Sequence, residues 1–111
     1  MIFDWDPAKS DRKLILRGFD FEFARQTFAA PSVEFDDTRR DYGERRVVAL
    51  GLADEIPLTV VFTDRVAADG AIVRRIISAR VSHRTERRCY AEVSQQARAP
   101  RDGEDPDEGP R

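Results

Sequence analysis

The chain has 111 residues, of which 41% are hydrophobic, and this supports one small domain with a single core. A single cysteine, Cys89, excludes an internal disulfide, and a single histidine leaves no recognisable structural zinc set, so we expect no metal and no cofactor. The net charge is −2, and the sequence has neither an apolar leader nor a run of about 18 apolar residues, which predicts a cytoplasmic protein without a membrane span.

The N-terminal residues predict a short strand and a helix. Residues 1–3 form an apolar run suited to a first strand. Asp6 and Pro7 then mark a helix start, because a carboxylate is a good N-cap and proline fits the first helical position. We expect this helix to cover residues 7–17 and to end at Gly18, where a left-handed cap costs least.

A second helix and a series of strands follow. Asp20 can cap the second helix, and Pro31 ends it. Its apolar side chains Phe21, Ala24 and Phe28 fall on one face. β-branched and apolar segments predict strands at residues 33–35, 46–51, 58–63 and 72–81, with a turn at residues 67–70 before the last of them.

These elements define an α+β fold class. The last three strands predict consecutive hairpins of an antiparallel β-sheet, and Ser82 can cap a closing helix that runs to about residue 95. The sheet is therefore expected to be flanked by two N-terminal helices and a C-terminal helix, in one domain of residues 1–97. Residues 98–111 are rich in proline, glycine and acids, which predicts a disordered tail that is inert or else occupies a basic site.

The charge pattern is most unusual in residues 74–90, where six arginines accompany one carboxylate, Glu86. Local basicity of this kind predicts an anionic partner, with nucleic acid first and a local phosphate site favoured over a broad DNA-coating surface. Side chains alternate between the faces of a strand, which predicts that Arg74, Ser78 and Arg80 share the open face of strand 72–81. Arg75 would need a β-bulge to join them.

Three motifs carry a family resemblance over residues 3–92. They are Phe3-x-Trp5-Asp6-Pro7-x-Lys9 with Gly18-x-x-Phe21-Glu22-x-Ala24 and Phe28; Glu44-Arg45 before a strand ending at Gly51; and Arg75-Ile76-Ile77-Ser78-Ala79-Arg80 with Arg84-x-Glu86-Arg87-Arg88-x-Tyr90. Together these motifs resemble the BrnT toxins of bacterial type II toxin–antitoxin systems. The chain departs from the family in the first helix, where Arg17 stands in place of the usual histidine of Asn-x-x-Lys-His-Gly.

The resemblance implies a RelE-like fold and a ribonuclease that inhibits translation by metal-independent cleavage of RNA. It also implies a BrnA-like ribbon–helix–helix antitoxin that neutralises the toxin in a heterotetramer and binds operator DNA, so that contact with DNA is indirect. The catalytic candidates are Arg80 and Arg45 on the scissile phosphate, followed by Arg75, Glu86 and His83. The RNA-binding candidates are Arg74, Arg84, Arg87, Arg88, Tyr90, Lys9 and Arg17.

Each candidate also has a structural interpretation. The arginines suit a salt-bridged sheet edge, and Glu86 suits an ion-pair partner better than a base. His83, the only histidine, suits an exposed helix start. Tyr90 fits base stacking and core packing equally well, whereas Trp5 is expected to anchor the first helix to the sheet.

Two other functions remain open. Loss of the family histidine favours a decayed toxin that still binds an antitoxin and acts only in repression. A standalone RNA-binding module would bind RNA without cleaving it. The acidic residues at 34–44 match no known ion loop and suit a solvated loop or a contact with a basic antitoxin segment.

Overall fold

The computed structural model of the protein describes residues 1–98, and the predicted tail lies outside this range apart from Arg98. The α+β class is confirmed. The elements in chain order are β1 Ile2–Trp5, α1 Pro7–Arg17, α2 Phe21–Ala24, a 3-10 helix Arg25–Ala29, β2 Val33–Asp36, β3 Val47–Ala53, β4 Ile56–Val66, β5 Ile72–Val81 and α3 Arg84–Arg98. No helix among these residues is long and apolar enough to cross a membrane.

The sheet has five strands in the order β1-β5-β4-β3-β2. Strands β2 to β5 pair antiparallel with their neighbours in sequence, which confirms the predicted hairpins. The purely antiparallel sheet was wrong, because β1 pairs parallel with β5, from Ile2 opposite Val73 to Trp5 opposite Ile76. Turn residues indicate pairing only between strands that are neighbours in sequence. β1 instead pairs with the last strand of the chain, and all the other strands lie between the two in sequence.

Capping residues fix α1 at its predicted bounds. The Asp6 carboxylate accepts a hydrogen bond of 3.0 Å from the Ala8 N–H, and Pro7 occupies the first turn. Gly18 adopts a φ of 85°, and its N–H donates to the Leu14 carbonyl at 3.0 Å. The helix therefore ends at the one residue that takes a left-handed conformation without strain.

The second helical segment is shorter than its apolar pattern suggested. Asp20 caps it as predicted, accepting the Phe23 N–H at 2.9 Å, but α2 covers one turn before the backbone tightens into the 3-10 helix. The buried Ser10 hydroxyl accepts the Phe21 N–H at 3.0 Å and ties α2 to α1. Ser10 therefore satisfies one of the backbone donors that every helix start leaves unpaired.

The main core lies between the sheet and α2. Phe21 and Ala24 of α2 are buried there, and Phe3, Trp5 and Phe28 pack against the same cluster. Trp5 thus packs on the core as expected. The sheet contributes the buried residues Ala53, Leu58, Val60, Ile76 and Ala79.

The opposite face of the sheet is covered by α3. Cys89 and Tyr90 pack on a smaller cluster formed by Val48, Leu50 and Val61. Because α3 covers only part of this face, the start of the helix borders an open cleft at the end of β5. Of the two interpretations of Tyr90, the structure supports core packing.

Candidate active site

A β-bulge in β5 decides which of its side chains act together. Val61 pairs with Ser78 and Phe62 pairs with Ile76, so Ile77 has no partner on β4. An extra residue of this kind interrupts the alternation of faces along the strand. Even-numbered residues before the bulge and odd-numbered residues after it therefore lie on the same face of the sheet, as Ile76 and Ala79 do.

The bulge separates Arg74 from Arg80. Arg74 lies over the Phe62 ring on the α2 side of the sheet, with its guanidinium carbon 4.0 Å from the ring centroid. Arg80 lies on the other side, where it pairs with Glu86 of α3. The prediction that Arg74, Ser78 and Arg80 share a face was wrong, because simple alternation holds only in a strand without a bulge.

The ion pair of Arg80 and Glu86 is the most strongly connected feature of the cleft. Arg80 donates from Nη1 to Glu86 Oε1 and from Nη2 to Glu86 Oε2, both at 2.7 Å. Glu86 Oε1 also accepts the Thr59 hydroxyl at 3.0 Å. The hydrogen bond from Arg80 is the main reason why the pKa of Glu86 falls from 4.5 to about 2, although partial burial opposes the shift.

Glu86 is also a capping residue of α3. Its Oε1 accepts the backbone N–H of His83 at 2.7 Å, which is one half of a capping box. Ser82, the predicted cap, lies one residue too early. Its hydroxyl instead forms a buried hydrogen bond of 2.9 Å with the Thr59 hydroxyl.

The cleft beside this pair has a volume of about 370 Å³. Arg80, Glu86 and Ser78 lie on one side of it, and a loop that carries Arg39 lies on another. Its remaining lining residues are Phe35, Asp36, Asp37, Thr38, Val48, Thr59 and Val61.

Arg39 is a cleft residue that the sequence analysis missed. Its Nε and Nη2 donate to the two oxygens of Asp37 at 2.8 Å each. The Asp37 side chain is 1% exposed and the Arg39 side chain 74% exposed, so a buried carboxylate anchors an accessible guanidinium. The hydrogen bond from Arg39 is also the main cause that lowers the pKa of Asp37 to about 2. The signal available in the sequence was the spacing of Asp37 and Arg39, which lets the two side chains form an ion pair.

Arg45 does not line this cleft. Its guanidinium pairs with Asp36 at 2.8 Å, and the side chain is 76% exposed. It borders a smaller pocket of about 100 Å³ together with Glu34, Asp64 and Arg74. The structure therefore does not bring the two first-choice arginines into one cleft.

Arg74 and Arg75 are paired with carboxylates that are distant in sequence. Arg74 donates to Asp64 at 2.8 and 2.9 Å, and these bonds raise its pKa. The bulge places Arg75 on the side of the sheet that carries Arg80, but Asp4 binds it there. Carboxylates that folding brings close therefore offset part of the positive charge of the arginines at residues 74–90.

The α3 candidates lie around the cleft rather than in it. His83, Arg84 and Arg88 are exposed. Arg87 donates to the Ser82 carbonyl at 2.7 Å and so supports the start of the helix. Among the described residues of α3, Glu86 is the one that lines the cleft.

The α1 candidates line a separate groove of about 240 Å³. Lys9 donates from Nζ to the Ile77 carbonyl at 2.7 Å, and Arg17 lies at the far end of the helix. Between them lie Arg12 and Lys13, which the sequence analysis did not select. We call the groove lined by Lys9, Arg12, Lys13, Leu16, Arg17, Phe21, Ile77 and Ser78 the α1 groove.

Comparison with known proteins agrees with the motifs in the sequence. A search of curated proteins finds no match to the chain. Residues 5–86 match the family model described as "Ribonuclease toxin, BrnT, of type II toxin-antitoxin system". The match runs from Trp5, the last residue of β1, through α1, α2 and strands β2 to β5 to the start of α3 at Glu86. The chain therefore belongs to the BrnT family of ribonuclease toxins of type II toxin–antitoxin systems.

Proposed function

We propose that the protein is a toxin that cleaves RNA in the cleft between β5, the start of α3 and the loop that carries Arg39. Family membership supports the ribonuclease activity. We choose this site because of the orientation of Arg80. Its guanidinium donates two hydrogen bonds to Glu86, and these hold Arg80 at the edge of an open cleft. A second anchored guanidinium, that of Arg39, lines the same cleft.

Two guanidinium groups suit the charge that develops when a 2′-hydroxyl attacks the adjacent phosphate. The pentavalent phosphate gains negative charge on its oxygens, and donors fixed in advance stabilise it without reorganisation. Arg80 and Arg39 supply such donors, because Glu86 and Asp37 hold their orientation. The bond from the 2′-oxygen to phosphorus replaces the bond to the 5′-oxygen, which takes a proton from water, so cleavage by this route leaves a 2′,3′-cyclic phosphate and a 5′-hydroxyl.

Glu86 couples phosphate binding to proton transfer in this scheme. Its pKa is low chiefly because Arg80 donates to it. When a phosphate binds the remaining N–H groups of Arg80, its negative charge beside Glu86 raises the pKa of that carboxyl toward its ordinary value. A carboxylate with a higher pKa is a better proton acceptor, so the substrate itself would prepare Glu86 to take the proton of the 2′-hydroxyl.

Cleavage of labelled single-stranded RNA in the presence of EDTA tests this proposal. We expect wild type to cleave and Arg80→Ala to lose activity by about 100-fold or more, as when one such donor is removed elsewhere. Arg80→Lys keeps the charge but loses the bidentate geometry, so it should also be impaired. Arg65→Ala removes an arginine outside the cleft and is the matched control.

Each result has a definite meaning. Full activity of a folded Arg80→Ala variant would refute the proposal that this cleft is the active site. Cleavage by wild type only when EDTA is omitted would refute metal independence while leaving the ribonuclease activity standing. Circular dichroism and thermal unfolding of each variant separate lost chemistry from lost structure.

Two observations favour the alternative of a decayed toxin. Arg17 replaces the family histidine, and both arginines of the cleft are already paired with carboxylates. Expression in bacteria without an antitoxin distinguishes the two functions. An active toxin arrests growth and Arg80→Ala relieves the arrest, whereas a decayed toxin leaves growth unchanged.

The remaining partners follow from the proposed role. We propose that the protein acts in the cytoplasm, inhibits translation by cutting RNA and is neutralised by a BrnA-like ribbon–helix–helix antitoxin. That antitoxin would form a heterotetramer with the toxin and bind operator DNA, so that the toxin contacts DNA only indirectly. The mass of the co-purified complex, with and without operator DNA, tests this arrangement.

A further inference from the structure

The α1 groove carries a concentration of positive charge that the described residues around it do not neutralise. Its lining contains two lysines and two arginines and no carboxylate. The cleft of Arg80, in contrast, is lined by three carboxylates beside its two arginines. An anion that approaches this side of the protein therefore meets its strongest attraction at α1 rather than at the arginine run of β5.

Helical spacing places these cations on one side of α1. Lys9, Lys13 and Arg17 follow one another at intervals of four residues, which is about 6 Å along a helix axis. Asp11 is the one acid of α1, and the helical period places it on the opposite side from Lys9. The cations therefore form a row without an acidic interruption.

The row lies along an exposed edge of the sheet. β1 pairs with β5 only as far as Ile76, so the outer edge of β5 beyond that point is not covered by a strand. Lys9 binds the carbonyl of Ile77 at 2.7 Å and fixes the helix beside this edge. The lining of the groove between them is partly apolar and includes Leu16 and Phe21.

The α1 groove is adjacent to the cleft. Ser78 lines both cavities. The positive charges of Arg17, Lys9 and Arg80 all contribute to lowering the pKa of Lys13, after the larger effect of burial. Positive charge therefore extends from Arg80 at the cleft to Lys13 in the groove.

We propose that the α1 groove binds the phosphates of single-stranded RNA on one side of the bond that is cut in the cleft. This inference rests on the proposed function, because it takes RNA to be the molecule that occupies the cleft. A strand that leaves the cleft past Ser78 enters the groove, where successive cations face successive phosphates. The exposed Leu16 side chain of the groove offers apolar contact to a ribose or a base.

A binding assay with RNA that cannot be cleaved tests the groove separately from catalysis. The probe is a fluorescent single-stranded oligonucleotide of about a dozen 2′-O-methyl nucleotides, which lacks the attacking hydroxyl, and the readout is anisotropy at several salt concentrations. The groove variant is Arg12→Gln/Lys13→Gln/Arg17→Gln in the full chain. Lys9 is left intact because it also binds the sheet. The control variant Arg25→Gln/Arg40→Gln/Arg65→Gln removes the same charge from residues outside the α1 groove and the cleft.

We expect the groove variant to bind the probe at least tenfold more weakly than the control variant. Each phosphate contact on a single strand contributes about −0.7 to the slope of log K against log salt, so the loss of three should flatten the slope by about 2. Equal affinities and slopes for the two variants, or no binding by wild type, would overturn the inference. If wild type cleaves RNA but the groove and control variants have equal salt slopes, RNA binding by the α1 groove is refuted and the proposed function is not. Groove-dependent binding without cleavage would refute the proposed function alone.

Discussion

Replacement of Glu86 by glutamine should destabilise the fold in a pH-dependent way. Glutamine keeps the shape of the side chain and an oxygen for the His83 N–H, but it loses the charge that pairs with Arg80. The pKa of Glu86 is lowered from 4.5 to about 2, so folding favours its ionised form. The stabilisation is therefore fully present above pH 4.5 and is lost as the pH falls toward about 2.

The size of the effect follows from the shift in pKa. A shift of this size is equivalent to roughly 3 kcal/mol as an upper limit. The Arg80 side chain is 45% exposed, so solvent screens the pair, and we expect about 1–2 kcal/mol in the free energy of unfolding. For a domain of this size the melting temperature at neutral pH should fall by roughly 5–15 °C.

Urea unfolding followed by fluorescence of Trp5, the only tryptophan, measures this free energy. The matched control is Glu92→Gln, the same chemical change at an exposed position of the same helix. At pH 7 the Glu86 variant should be less stable than the control, and the difference should shrink at pH 3. Equal stability of the two variants at pH 7, or a difference that does not change with pH, would refute the reasoning.

Three further predictions concern stability. Thr27→Val should stabilise the protein by about 1 kcal/mol in urea unfolding, because the buried Thr27 hydroxyl has no hydrogen-bond partner among the described residues; a loss of stability would contradict this. Gly51→Ala should destabilise it by about 1–3 kcal/mol, because a Cβ there would lie 2.7 Å from the Thr27 Cγ2; wild-type stability would show that the contact relaxes. Arg74→Gln should lower the melting temperature by several degrees, since it removes the ion pair to Asp64 and the stacking on Phe62, yet leave RNA affinity unchanged; a selective loss of RNA binding would place Arg74 in the interface.

Local signals in the sequence predicted the elements whose ends are chemically marked. The bounds of α1 agree because Asp6, Pro7 and Gly18 specify its two ends through short-range hydrogen bonds and backbone preferences. The bounds of β5 agree because β-branched residues recur from Ile72 to Val81, although arginines and a serine interrupt them. The parallel pairing of β1 with β5 joins residues about 70 positions apart, and no turn residue encodes it.

The faces of β5 were harder to predict than its bounds. Alternation predicts faces only when every residue of a strand has a partner, and the unpaired Ile77 breaks that condition. The alternation of side chains did predict that Arg75 would need a bulge to change sides. The sequence does not place the bulge, because the register depends on which side chains of β4 and β5 are buried on each face of the sheet.

Charge in the site was the least predictable property, because a count along the chain omits carboxylates that folding brings from elsewhere. Residues 74–90 contain one acid, yet Asp64 pairs with Arg74, and Asp4 pairs with Arg75 across 71 residues. The opposite occurs at α1, where the helical period turns Asp11 away and the groove keeps its four cations. A guanidinium that is held by a carboxylate can orient a phosphate but attracts it weakly from a distance, whereas a groove without acids attracts it strongly. This physical distinction is why we assign chemistry to the paired arginines of the cleft and RNA capture to α1.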